Sequence, residues 1–95
     1  MEPVEYPIDG ELDLHTFHPR EIRDLIPEYI HACREKGIYQ IRIIHGKGKG
    51  VLRESVHSLL RKLPEVEYFW QEGSAGSWGA TVVRLRPLES KGTNL

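Results

Sequence analysis

Ninety-five residues, 39% hydrophobic and 28% charged, support one small α/β domain with a single core and exclude division into two. A formal charge of -1 excludes a polycation that coats nucleic acid indiscriminately, so any affinity for phosphate has to be local. The only cysteine, Cys33, rules out an internal disulfide framework; it sits in an apolar-periodic stretch, reads as a buried thiol and fits a reducing cytoplasm. No apolar run approaches the roughly 18 residues of a membrane span. The first residues, Met1 to Glu11, are acidic and proline-bearing where a signal peptide is basic and then apolar, so secretion and membrane insertion are not expected.

Residues 1–9 have little pattern and read as an N-terminal tail; the domain is expected over 10–87, with a C-terminal tail at 88–95. Glu11-Leu12-Asp13-Leu14-His15 alternates polar and apolar side chains, the period of a half-buried strand. Thr16 or His18 then stands near a helix cap, Pro19 suits the first helical position and Glu21 lies in the first turn. Ile22, Leu25, Ile26, Tyr29, Ile30 and Cys33 recur every three or four residues and predict one buried helix face, ending near Lys36-Gly37. Pro27 falls inside this pattern and predicts a bend or a short break.

Tyr39 to Ile44 is rich in β-branched residues and predicts a second strand. A strand, helix, strand order of this length implies parallel pairing with a right-handed crossover. Val51, Leu52, Ser55, Val56, Leu59, Leu60 and Leu63 trace a second amphipathic helix that stops at Pro64. Val66 to Trp70 and Ala80 to Leu85 read as two antiparallel strands around a glycine-containing loop, with Trp70 expected in the core.

Between the second strand and the second helix lies His45-Gly46-Lys47-Gly48-Lys49-Gly50. Its glycines allow positive φ and close backbone approach, and the free amides and dipole of the following helix attract anions. Lys47 and Lys49 add charge, and Arg53, one turn into the helix, offers a fork of donors to a second phosphate. The competing reading is a solvated surface turn. Nucleotide-binding loops are disfavoured, because G-x-x-x-x-G-K-[ST] is absent and glycines at 46, 48 and 50 break G-x-G-x-x-G.

Asp13 and His15 end the first strand and His45 ends the second, at the carboxyl rim where parallel α/β sheets place ligands. Two imidazoles, a carboxylate, Lys47 and helix amides would supply the acid, base and positive charge that phosphodiester cleavage requires. A histidine taken alone is more often a cap or a hydrogen-bonding group; the cluster carries the reading. His15 and His18 are three apart, yet strand and helix-start geometry do not align them as zinc ligands, so no metal site is assigned. No cofactor is required by the sequence, and a divalent metal is compatible with it. His31 and His57 are read as surface or boundary side chains. Trp78, in a glycine loop with few apolar neighbours, either stacks on an unpaired base or folds back over the sheet edge.

These segments resemble the Smr (small MutS-related) domain family, which occurs alone in bacteria and attached to MutS-like and plant pentatricopeptide proteins. Leu12-Asp13-Leu14-His15 is similar to its L-D-L-H-G motif. Ile43 to Gly48 followed by Leu52-Arg53 is similar to its H-G-x-G loop and helix start, and Gly79 to Leu85 to its last strand. The resemblance, to the stand-alone bacterial type, implies an α/β two-layer sandwich, β-α-β-α-β-β, with two main helices on a four-stranded mixed sheet, like the C-terminal domain of a translation initiation factor. It further implies a nicking endonuclease or endoribonuclease acting on structured DNA or RNA, with Asp13, His15, His45 and Lys47 as functional positions. Gly46, Gly48, Lys49, Gly50, Arg53, His18 and Trp78 complete the expected nucleic-acid surface. The family's glycine after L-D-L-H is Thr16 here, a difference that bears on cleavage more than on binding. A non-catalytic nucleic-acid adaptor and a protein-interaction module are the alternatives, and the sequence does not set DNA against RNA or fix the oligomeric state.

Overall fold

The structure is a computed structural model that describes residues 8–46, 50–72 and 79–88, with Thr16 described by its backbone alone. Lys47, Gly48, Lys49 and Trp78, and most of both expected tails, lie outside the described residues.

The first strand, β1 (Glu11–Asp13), buries Leu12 and exposes its neighbours, as alternation requires. It stops two residues earlier than the sequence predicts. The Asp13 carboxylate accepts the His15 amide at 2.9 Å, a local turn that competes with the strand ladder. Leu14–Thr16 accordingly form one 3-10 turn, closed by the Phe17 amide donating to the Leu14 carbonyl at 3.1 Å.

Helix α1 (Pro19–Glu35) opens on a reciprocal cap: the His18 ring accepts the Arg20 amide at 3.2 Å, and the Glu21 carboxylate accepts the His18 amide at 2.8 Å. Pro27 does not break it; the helix runs without interruption to Glu35. Proline here forfeits the single bond to the carbonyl of Arg23, an exposed residue, while the buried side chains on either side hold the helix to the sheet. Ile22, Leu25, Ile26, Tyr29, Ile30 and Cys33 are all buried. The Tyr29 hydroxyl accepts the Gly10 amide at 3.0 Å and so ties the helix to the entrance of β1. Burial pushes the Tyr29 and Cys33 acids up, and both side chains stay neutral in the core.

Strand β2 (Gln40–Ile44), helix α2 (Val51–Lys62), β3 (Val66–Gln71) and β4 (Ala80–Leu85) complete the order β-α-β-α-β-β. The sheet runs β1-β2-β4-β3, with β1 and β2 parallel and the other pairs antiparallel. Leu12, Ile41, Ile43, Val83 and Leu85 face the helices and join their apolar stripes in one core, to which α2 contributes Val56 and Leu60 fully and Leu52 and Leu59 in part, with Leu63 at its C-cap. Val51, expected on that stripe, is 71% exposed at the helix start.

Among the described residues no helix covers the opposite sheet face, where Arg42 of β2 bridges Glu11 of β1 at 2.6 Å and Glu72, just past the end of β3, at 2.8 Å. Trp70 corrects the sequence reading: it is 43% exposed and stacks on Tyr68, with ring centroids 5.6 Å apart. An irregularity between Val66 and Tyr68 inserts Glu67 and shifts the phase of β3, so that Phe69 pairs with Val83 on the core face and Trp70 with Val82 on the open one. Among the described residues no helix is long and apolar enough to cross a membrane.

Candidate nucleic-acid interface

Register fixes the rim. Asp13 pairs with Ile44 as the last residues of two adjacent parallel strands, so the turn holding His15 and the residue His45 leave the sheet side by side. β4 enters at the same end, since Ile44 also pairs with Ala80. The His15 ring returns to Asp13, with Nδ1 3.3 Å from the carboxylate, and both side chains are largely exposed, at 71% and 56%.

His45 behaves differently. Its backbone amide donates to the Gly79 carbonyl at 2.7 Å and that of Gly46 to the same oxygen at 2.9 Å. Gly79 must be glycine, because a Cβ there would collide with the Gly46 backbone. The His45 side chain follows Ile41 and Ile43 onto the helix-covered face and is 8% exposed. There Nε2 lies 2.8 Å from the Thr81 hydroxyl, and Nδ1 lies 3.2 Å from the Gly46 carbonyl. From α2, His57 Nε2 meets the same hydroxyl at 2.8 Å, and the two imidazoles stand edge to face with centroids 6.1 Å apart. Burial lowers the His45 pKa, against the Gly46 carbonyl and with help from the Arg53 charge. Burial and then His45 itself lower that of His57. Both rings are therefore neutral at pH 7.

Helix α2 opens on Gly50 at φ 88°, and among the described residues no side chain caps its first amides, which have no partner within the helix. The Arg53 guanidinium folds back over that start: a Cβ on Gly50 would lie 3.0 Å from Nη2. Free amides, the positive end of a helix dipole and a guanidinium together form an anion-attracting corner beside the His45–Gly46 turn.

Residues 12–86 match the family model of the Smr domain. The chain belongs to the Smr domain family. Among solved structures, the Smr domain of Thermus thermophilus MutS2 superposes with a TM-score of 0.74 at 34% identity, covering 82% of this chain and 99% of that one. YdaL, a stand-alone small MutS-related protein from Escherichia coli, superposes at 0.73 with 26% identity, over 86% of this chain and 68% of its own. Endonuclease MutS2 of Thermomicrobium roseum is 34% identical over 79 residues, or 82% of this chain, and its counterpart in Clostridium tetani is 32% identical over 80 residues. The chain spans 10% of the length of each of these two curated relatives.

In this Smr domain the expected residues divide by environment. Asp13, His15, Gly46, Gly50 and Arg53 lie on the rim; His45 turns beneath it; and the His18 ring caps α1 while remaining exposed. Among the described residues no three His, Cys, Asp or Glu side chains converge as metal ligands. The sequence reading sets His57 aside as a surface or boundary side chain and does not single out Thr81; His57 is half-buried, and the two meet at the Thr81 hydroxyl. Their signal was present in Thr81, a hydroxyl inside the apolar run Ala80 to Val83, which needs a partner once buried.

Proposed function

We propose that this Smr domain binds the phosphate backbone of structured DNA or RNA at the strand-end rim and cleaves it there, as a nicking endonuclease or endoribonuclease. The observation that carries the reading is the juxtaposition of the exposed Asp13–His15 pair with the His45–Gly46 turn at the ends of two adjacent strands. Asp13 accepts from His15 Nδ1–H and orients the ring, which leaves Nε2 as the base. As the attacking oxygen bonds to phosphorus, Nε2 takes its proton, and the departing oxygen is protonated from water. Charge gathering on the phosphoryl oxygens is met by the α2 amides, Arg53 and the loop lysines Lys47 and Lys49. His45, with both ring nitrogens engaged internally, shapes the loop and does not touch substrate. The relatives called endonucleases support this chemistry, and the family match supports a nucleic-acid ligand.

The test is a panel of supercoiled plasmid and structured RNA, with and without chelator, against wild type, His15→Ala and Asp13→Asn. The expected result is nicked product from wild type, reduced at least 100-fold in His15→Ala, the scale of general acid–base catalysis at roughly 10²–10⁴. Equal product from wild type and His15→Ala removes His15 from the chemistry.

Binding without cutting is the second reading, and it draws on Thr16 standing where the family has glycine, beside the acid–base pair. It retains the rim as a phosphate site and expects complexes with the same substrates but no product from wild type.

A further inference from the structure

The contacts of Thr81 fix the proton positions of two histidines. A carbonyl oxygen only accepts, so the contact between His45 Nδ1 and the Gly46 carbonyl requires the proton on Nδ1. A neutral His45 then has a bare Nε2, and the Thr81 hydroxyl must donate to it. Having spent its one proton, that oxygen accepts from His57, whose Nε2 carries the hydrogen. The opposite assignment, with Thr81 donating to His57, would need His45 protonated on both nitrogens while only 8% exposed.

We propose that His57 is a positioning residue for the His45–Gly46 turn: through Thr81 it holds His45 in the Nδ1–H tautomer, and that tautomer pins the Gly46 carbonyl inward. The backbone alone does not achieve this, because Gly46 sits at φ 88° and, as glycine, has alternatives open to it. Thr81 is 0% exposed, so no water is at hand to replace a lost partner. His57 is thereby placed in the working of a rim it does not reach. The proposal deepens the phosphate-binding reading of that rim and rests on it for its functional consequence; the proton assignment stands on geometry alone.

Nitrogen-15 NMR of the imidazole rings tests the assignment directly. Wild type is expected to show His45 protonated at Nδ1 and His57 at Nε2 near neutral pH. In His57→Ala the His45 signals are expected to move towards a tautomer mixture, and in His57→Gln, whose amide still donates to Thr81, to stay near wild type. Thr81→Val, which removes the hydroxyl at nearly constant volume, should reproduce the His57→Ala pattern. Affinity for a fluorescent DNA hairpin should fall about ten-fold in His57→Ala, the size of one net hydrogen bond, and recover in His57→Gln. Wild-type His45 carrying its proton on Nε2, or unchanged His45 signals in His57→Ala, overturns the proposal whatever the protein binds. Correct tautomers with no hairpin binding by wild type would instead overturn the phosphate-binding reading and the loop-positioning role, leaving only the proton assignment.

Discussion

Gly79 and Gly46 press backbone against backbone, and two amides converge on one carbonyl where they meet. A methyl group on Gly79 has no flexible side chain to displace, so β4 or the His45–Gly46 turn must move. Gly79→Ala is expected to cost about 1–3 kcal/mol, as overpacking does, and to lower the melting temperature by roughly 4–8 °C per kcal/mol in a domain of this size. Calorimetry checks the first effect, and weaker hairpin binding would report the displaced turn. At this scale the sequence was legible for whatever acts locally. Asp13 lies two residues from His15, and Pro19 follows the cap formed by His18, so both arrangements could be read from neighbours in the chain. His57 could not, because its partner Thr81 lies 24 residues on and the second imidazole, His45, joins the same hydroxyl from just past the end of β2. An amphipathic pattern counts apolar side chains, and a histidine beside the stripe is invisible to it until the opposing strand is placed.

Elements followed from periodicity where a single rule governed them. The three- and four-residue spacing of α1 predicts each of its six buried side chains, and Pro27 did not interrupt it, because one lost backbone bond is small beside the burial of Ile26, Tyr29 and Ile30. The rule failed in β3, where Glu67 adds a residue and inverts everything after it. Strict alternation from Val66 would have placed Tyr68 and Trp70 inside; the bulge puts Phe69 there, against His57 with ring centroids 4.9 Å apart. Truncation should expose the inversion. Phe69→Ala is expected to destabilise by about 2 kcal/mol or more, as loss of a packed aromatic does, whereas Trp70→Ala should cost less than about 1 kcal/mol despite its greater size. Urea denaturation of the two variants decides it, and the reverse order would mean that alternation continues unbroken through Glu67. The same bulge sets where the strand ends, with the Glu72 carboxylate on Arg42 and the Glu72 amide on the Ala80 carbonyl at 2.9 Å.

For the molecule as a whole, a formal charge of -1 means that any binding to a polyanion has to be local, as at the corner beside Gly50. Contact by Lys47, Lys49 and Arg53 alone would give a log–log salt slope of about -3, near 0.9 per neutralised phosphate, and a flat response would count against the loop as a phosphate site. The core beneath that corner has its own dependence on solution conditions. His45 and His57 have pKa values held below 6.5 by burial, so the unfolded chain takes up protons at these positions before the native state does. Native stability contributed by the neutral rings is thus complete above pH 6.5 and is lost as pH falls through the lower folded values. Every other group is common to wild type and to a His57 variant and drops out of the difference. In His57→Gln one of the two groups held low is removed, together with the repulsion that His45 exerts on it. The urea midpoint of wild type is therefore expected to fall more steeply than that of His57→Gln between pH 7 and pH 5. Parallel curves would mean that the native state does not hold the His57 ring below its ordinary pKa.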